Sequence, residues 1–459
     1  MENEMRSMST NKVWDLEKIP KGAKTVGCKW VYKTKHDSKG NVARLVAKGF
    51  TQREGIDYTK TFSPVSSKNS FKIIMALVAH YDLELHQMDV KTAFLNGDLY
   101  ENVFMAQPKG FDAKGKENLR SFDYKENIEK NCIYAKFKNG KFIFLVLYVN
   151  DILLTSSDMN LLLETKNFLS SNFGMKDLGE AWYVFGIEIH RDRKKGVLGL
   201  SQKAHIENIL KRYSMHKCKA LPVPIVQSNV FGNFECPKNK NKYKMDRMKS
   251  VPYASVVGSI IIYNRDARQI SEKSKSGIKK TLRYLQGTKN LMLTYRKSNA
   301  LEIVGYSDAD MAGCRDTRKS ILCYIFTLAR GAISWKSSKQ SIVVSSTEYA
   351  EIIACYEATG QALWLKKFVP GLKVVDSIEK PLKLYCDNEP AISYSYNKSN
   401  NAAKYIDIKY YIVKEKIQDQ TIMLEHIESE RMLADPLTKG LPPKKFIEHV
   451  AGMGLKEDL

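Results

Sequence analysis

The stretch FIFLVLYVNDILLTSS, residues 142–157, sets two apolar runs of strand-forming residues on either side of the polar pair Asn150-Asp151. Asn and Asp are ordinary residues for a two-residue hairpin loop, because both tolerate positive φ and bond locally to the backbone. The same pattern suits a carboxylate held rigidly at a hairpin tip between buried strands, where it is placed to bind a metal. The stretch alone leaves both readings open, and either way it predicts a hairpin.

Upstream, LELHQMDV (residues 83–90) reads as a short strand ending in Asp89, after a helix whose spacing runs over 70–81. Side chains at strand termini in open αβ domains project into crevices, so a carboxylate there is placed to serve a ligand. By itself Asp89 is equally a strand-ending polar residue. Paired with the hairpin it gains meaning, since a neighbouring strand can bring the two carboxylates together. Nucleotidyl transfer needs such a pair: two divalent cations activate the attacking hydroxyl and steady the leaving oxygen, and anionic oxygens hold the cations. Further upstream, residues 28–50 predict a hairpin around DSKGN, with Arg44 and Lys48 on its second strand.

Composition narrows the partners. The 459 residues exceed one ordinary hydrophobic core, so two or three domains are expected. Lys and Arg number 73 against 50 Asp and Glu, a net charge of +23. That excess favours a polyanion through counterion release, nucleic acid above all, although a merely basic soluble protein has the same charge. The eight cysteines form no C-x-x-C pair, which argues against a zinc site or disulfide framework. The polar N-terminus is unlike a secretory signal, and no apolar run approaches the ~20 residues of a membrane span. A soluble intracellular chain, cytoplasmic or nuclear, is expected. Residues 225–250, dense in Lys and Asn, read as a linker.

Six motifs carry a resemblance: ARLVAKGFTQREGIDYTKTFSPV (43–65), QMDVKTAFLNGDLYENVFMAQPKGF (87–111), LYVNDILL (147–154), YSDADMAGC (306–314), YCDN (385–388) and LADPLTKGLPP (433–443). From about residue 29 to 455 the chain resembles the reverse transcriptase and ribonuclease H region of copia-type LTR retrotransposon Pol polyproteins. The resemblance implies a mixed α+β and α/β multidomain chain. Right-hand polymerase fingers and palm would occupy 1–225, a connection or thumb-like segment 226–299, a ribonuclease H-like domain 300–445 and a tail 446–459. It implies Mg²⁺ or Mn²⁺ as cofactor, RNA, DNA and RNA–DNA hybrid as partners, and deoxynucleoside triphosphates as substrates of an active polymerase. Asp89 takes the position of the first metal-binding aspartate of the polymerase. The hairpin matches the Tyr-x-Asp-Asp box, with Tyr148 its tyrosine and Asp151 its second aspartate. Arg44 and Lys48 fall where fingers residues approach the nucleotide and template.

Three departures mark the polymerase half. The first box aspartate is Asn150 here, and a neutral amide oxygen is a poorer cation ligand than a carboxylate. After QPKGF, residues 112–132 lack the family's Ser-Leu-Tyr-Gly-Leu-Lys-Gln motif, so the palm is expected to be incomplete. After Tyr263, NRDARQISEKSK replaces a longer segment with an Arg-Pro-Asp motif.

The region after residue 301 reads independently. Strand-like LEIVGYSDAD carries Asp308 and Asp310, and residues 322–337 predict a hairpin around ARG. A helix from 345 to 368 opens with a capping box of Ser345 and Glu348, and on it Glu351 shares a face with Ala354, Cys355, Ala358 and Ala362. An acid on an apolar face needs a partner, which favours a ligand role. A strand ends at Asp387, another covers TIMLEHI, and RMLADPLTKG supplies Asp435. By resemblance Asp308, Glu351, Asp387 and Asp435 form the metal-binding catalytic quartet of ribonuclease H. Asp310 and Glu348 are expected to face elsewhere, and His426 to be structural. SILCY (320–324) stands where the family places a Thr-Ser-Gly. The sequence thus predicts a polymerase and ribonuclease H homologue with impaired polymerase turnover. A ribonuclease H alone, or a non-catalytic nucleic-acid-binding remnant, is the alternative.

Overall fold

A computed structural model describes residues 28–33, 42–47, 67–90, 125–127, 130–148, 151–224, 275–314, 316–373, 380–397 and 408–459. Asn150, Lys48, the palm segment 112–124, the whole Lys-rich 225–250 stretch and the segment after Tyr263 up to 274 lie outside them. The chain divides into two compact units, one comprising 1–66, 84–126 and 130–181, the other 67–83, 127–129 and 182–459.

In the first unit, β1 (Cys28–Lys33) pairs antiparallel with β2 (Val42–Ala47), the hairpin expected from the DSKGN turn. Helix α1 (Lys68–Tyr81), which belongs to the second unit, precedes β3 (Glu84–Val90). Then follow β4 (Lys125–Asn127), β5 (Lys130–Lys138), β6 (Lys141–Tyr148), β7 (Asp151–Ser156), helix α2 (Met159–Asn172) and β8 (Met175–Glu180). The sheet order is β4-β5-β6-β7-β3-β8. Alternation along its strands turns Met88, Ile143, Leu145, Ile152 and Leu154 to one face, where Leu161, Leu162 and Leu169 of α2 cover them. Helix α2 starts cleanly because the Asp158 carboxylate accepts the Leu161 N–H at 3.0 Å.

The second unit holds two five-stranded sheets. One, ordered β18-β12-β11-β10-β9, takes in β9 (Tyr183–Val184), β10 (Ile187–Asp192), β11 (Val197–Ser201), β12 (Met292–Arg296) and β18 (Leu455–Lys456). Helices α3 (Lys203–Arg212) and α4 (Lys275–Thr288) pack together through Ile209, Leu210 and Leu282. The other sheet comprises β13 (Val304–Asp310), β14 (Ile321–Leu328), β15 (Gly331–Lys339), β16 (Leu382–Cys386) and β17 (Ile422–His426). Its order is β15-β14-β13-β16-β17; the first three strands form an antiparallel meander, and β16 and β17 run parallel to β13. Three antiparallel strands extended by two parallel ones make this a mixed sheet, in keeping with the expected α/β part of the chain.

The meander turns at Ala329 and Arg330, both at positive φ (49° and 63°), as a primed hairpin turn requires. SILCY enters β14 directly, so the strand forms without the Thr-Ser-Gly. Helix α5 (Thr347–Phe368) lays Ala350, Ile353 and Ala354 on Ala309, Leu322 and Val344. Its cap is Ser346, which accepts from the Tyr349 N–H, and not Ser345, so Glu348 falls one position short of a capping box. Helices α6 (Glu389–Tyr396) and α7 (Ile408–Gln418) lead from β16 to β17, and α8 (Pro443–Gly452) precedes β18. Among the described residues no helix is long and apolar enough to cross a membrane.

Gly305, in the middle of β13, has no room for a side chain: an added Cβ would lie 2.6 Å from the Phe326 ring and 2.8 Å from Leu384. Gly305→Ala is therefore expected to destabilise this sheet by about 1–3 kcal/mol. A lowered thermal midpoint of the full chain would show it, and an unchanged midpoint would contradict the packing.

Candidate active site

Two acidic sites arise, one in each unit. In the first, the register places Asp89 of β3 directly opposite Asp151 of β7, on the sheet face away from α2. Directly opposed residues have Cβ atoms about 4.5–5.5 Å apart, and like charges there repel. The half-buried Asp151 is steadied by the Gln87 amide, which donates to Oδ1 at 2.9 Å. Tyr148, the last residue of β6, stands across from Asp151 on the other side. Lys176 of β8 is opposite Asp89, so a row of Asp151, Asp89 and Lys176 crosses the sheet. Arg44 lies on β2 opposite Val31, and its side chain is outside the described residues.

The second site collects the acids of β13, α5, β16 and the C-terminal segment. The Asp308 side chain leaves β13 on the face opposite α5. Glu351, one turn into α5, reaches the end of the same strand, where its Oε1 accepts the Ala309 N–H at 3.1 Å. Asp387 follows the last residue of β16, and the Ser429 hydroxyl donates to its Oδ2 at 2.7 Å. Asp435 opens a 3-10 turn, Asp435–Leu437, and brings the C-terminal segment onto the strand ends. Carboxylate oxygens of Asp308, Asp387 and Asp435 all lie within 4.8 Å of one another, as do ligand atoms of Glu351, Cys386 and Asp387. All four acids expected from the sequence are thus together.

Their burial is deep: Asp308 and Glu351 are each 2% exposed and Asp435 is 5%. Desolvation disfavours the charged form. Burial raises the Asp308 carboxyl, against the pull of Lys439 and Thr438. Burial, reinforced by Asp308, Cys386 and Asp387, pushes Glu351 well above the usual carboxylate range. Burial and Asp308 push Asp435 up to about 7.

Among the described residues, one cation answers these charges. The Lys439 ammonium lies 2.8 Å from Asp435 and 3.7 Å from Asp308. Burial alone would lower its pKa, but Asp308 and Asp435 carry it above the ordinary value. Thr438 donates its hydroxyl to Asp308 Oδ2. Neither residue was singled out from the sequence, though both stand in the quoted LADPLTKG, three and four residues past Asp435. Asp310 corrects an expectation: two residues from Asp308 on one strand it shares that face, half-buried, and feels the Lys439 charge. Glu348 does lie elsewhere, beside Tyr394. His426, at the end of β17, faces Glu389 at 3.8 Å. The clustered oxygen donors suit a hard divalent cation.

A family model described as reverse transcriptase (RNA-dependent DNA polymerase) matches residues 11–121 and 116–227. The chain is 36% identical to the retrovirus-related Pol polyprotein from transposon TNT 1-94 of Nicotiana tabacum, over 97% of this chain and 37% of that protein. It is 30% identical to the corresponding polyprotein from transposon RE1 of Arabidopsis thaliana, over 99% of this chain and 33% of that one. The chain therefore spans about a third of the length of these relatives. A crystal structure of LC11-RNase H1 in complex with RNA/DNA hybrid matches 30% of this chain and 94% of that one, at 17% identity and a TM-score of 0.23.

The pKa of Asp435 gives a pH prediction. At about 7 in the folded chain it lies above the ~3.9 of an unfolded Asp, so the folded state keeps a proton that the unfolded chain releases. The stability linked to that proton is full below pH ~4 and lost as pH rises through 7. Asp435→Asn, melted in EDTA, is expected to gain on the parent progressively from pH 4 to pH 8. A difference that stays flat or shrinks with pH would contradict this.

Proposed function

The chain belongs to the Pol polyprotein family of copia-type LTR retrotransposons, of which it carries the reverse transcriptase and ribonuclease H region, and on that premise we propose that Asp308, Glu351, Asp387 and Asp435 hydrolyse the RNA strand of an RNA–DNA hybrid. The observation that carries this reading is the convergence of three carboxylates within 4.8 Å, with Glu351 adjoining through Asp387. These oxygens would hold Mg²⁺ or Mn²⁺, which when bound would supply an activated water and neutralise charge on the leaving oxygen. The protein's own part is to hold the carboxylates rigidly on strand ends. Ser429 and the Ala309 N–H orient two of them, and the packed sheet behind Asp308 limits water.

The other pair, Asp89 and Asp151, is the remnant of an RNA-directed DNA polymerase centre that would take a primer, an RNA or DNA template and deoxynucleoside triphosphates. Asn150 deprives it of one anionic ligand, and the palm segment after Phe111 is missing, so turnover is impaired. The net charge of +23 supports nucleic acid as the partner, in an intracellular setting. Should neither centre turn over, a nucleic-acid-binding remnant is the reading that the charge still supports.

The test is cleavage of a labelled RNA–DNA hybrid by the full chain with Mg²⁺ or Mn²⁺. The parent is expected to cut the RNA strand, and Asp387→Asn to lose about a hundredfold or more of that rate. Equal rates would end the catalytic assignment. For the polymerase, Asn150→Asp is expected to raise primer extension above the parent's level; no gain would put the defect in the missing palm segment.

A further inference from the structure

Acidic clusters of this depth are costly. Oxygens of Asp308, Asp387 and Asp435 lie within 4.8 Å of one another, and Asp308 and Asp435 are only 2% and 5% exposed. In the metal-free chain that cost can be answered only by the chain's own residues. The Lys439 ammonium touches Asp435 at 2.8 Å and Asp308 at 3.7 Å, where it offsets part of that charge. Its side chain is 36% exposed, so its head sits at the mouth of the cluster on a flexible four-carbon stem.

We infer that Lys439 is a built-in counter-ion of the acidic cluster, which holds Asp435 against Asp308 in the metal-free chain and competes with the divalent cation for the same oxygens. The inference rests on reading these carboxylates as metal ligands. Lys439 is thus a positioning residue that acts through Asp308 and Asp435. The segment that delivers Asp435 also delivers Thr438, whose hydroxyl bond to Asp308 needs no charge. The site is then never without a cation: an internal one in the empty state, a divalent one in the loaded state. Such a device lowers metal affinity in exchange for a folded empty site.

Mn²⁺ binding to the full chain, followed by the electron paramagnetic resonance of free Mn²⁺, tests it alongside the metal-free thermal midpoint. Lys439→Met, which keeps the stem and removes the charge, is expected to melt lower in EDTA and to bind Mn²⁺ about tenfold more tightly. Lys439→Arg is expected to keep the parent's weaker affinity. A Met variant that binds Mn²⁺ no more tightly than the parent overturns the inference. If that variant does not fold in EDTA, saturating Mg²⁺ is expected to restore it, and failure to refold in Mg²⁺ overturns the inference as well. Asp387→Asn separates the two levels: if it binds Mn²⁺ as the parent does, the metal-ligand reading itself falls.

Discussion

Carboxylates from distant parts of a chain repel one another when buried, and the arrangement of the second unit's acidic site follows from how that repulsion is answered. Asp308 comes from the central strand, Glu351 from the crossover helix, Asp387 from the neighbouring parallel strand and Asp435 from the C-terminal segment. Each is fixed by something other than its charge: the meander pairing, the alanine face of α5, the end of β16 and the Asp435–Leu437 turn. Packing energy on the two sheet faces thus pays for the electrostatic cost at their rim. Lys439 and Thr438 relieve part of it, and a divalent cation would relieve the rest.

The first unit shows the same logic with fewer charges. Asp89 and Asp151 face each other across two strands because Met88 and Ile152 must face α2, and alternation leaves the neighbouring residues no other side. Gln87 is a neutral partner that steadies Asp151 without cancelling its charge. Asn150 in the adjacent position lowers the negative charge offered to a cation. The two clusters therefore differ in the number of carboxylates they bring together.

Much of this was legible in the residues. Two apolar runs of strand formers gave the hairpin, but Asp151, expected in its two-residue loop with Asn150, is instead the first residue of β7, paired with Tyr148. Glu351 betrayed itself as an acid on an alanine face, a pattern that burial makes costly without a partner. The helix cap was displaced by one residue, because Ser345 and Ser346 both qualify locally and the packing of Ala350 decides between them. Asp310 was misjudged by treating it as a spare, although its distance of two residues from Asp308 on a strand requires the same face. Lys439 and Thr438 were hidden for a different reason: their partner Asp308 is 130 residues or more away, and only the tertiary fold sets them against it.

The proposed use of these four acids as a cation site for hydrolysis is open to direct measurement. Anomalous diffraction from crystals soaked in Mn²⁺ tests it most directly. Mn²⁺ peaks are expected among the oxygens of Asp308, Glu351, Asp387 and Asp435, with Lys439 turned out of the cluster. A soaked crystal with no peak there, and Lys439 still seated between Asp308 and Asp435, would contradict it.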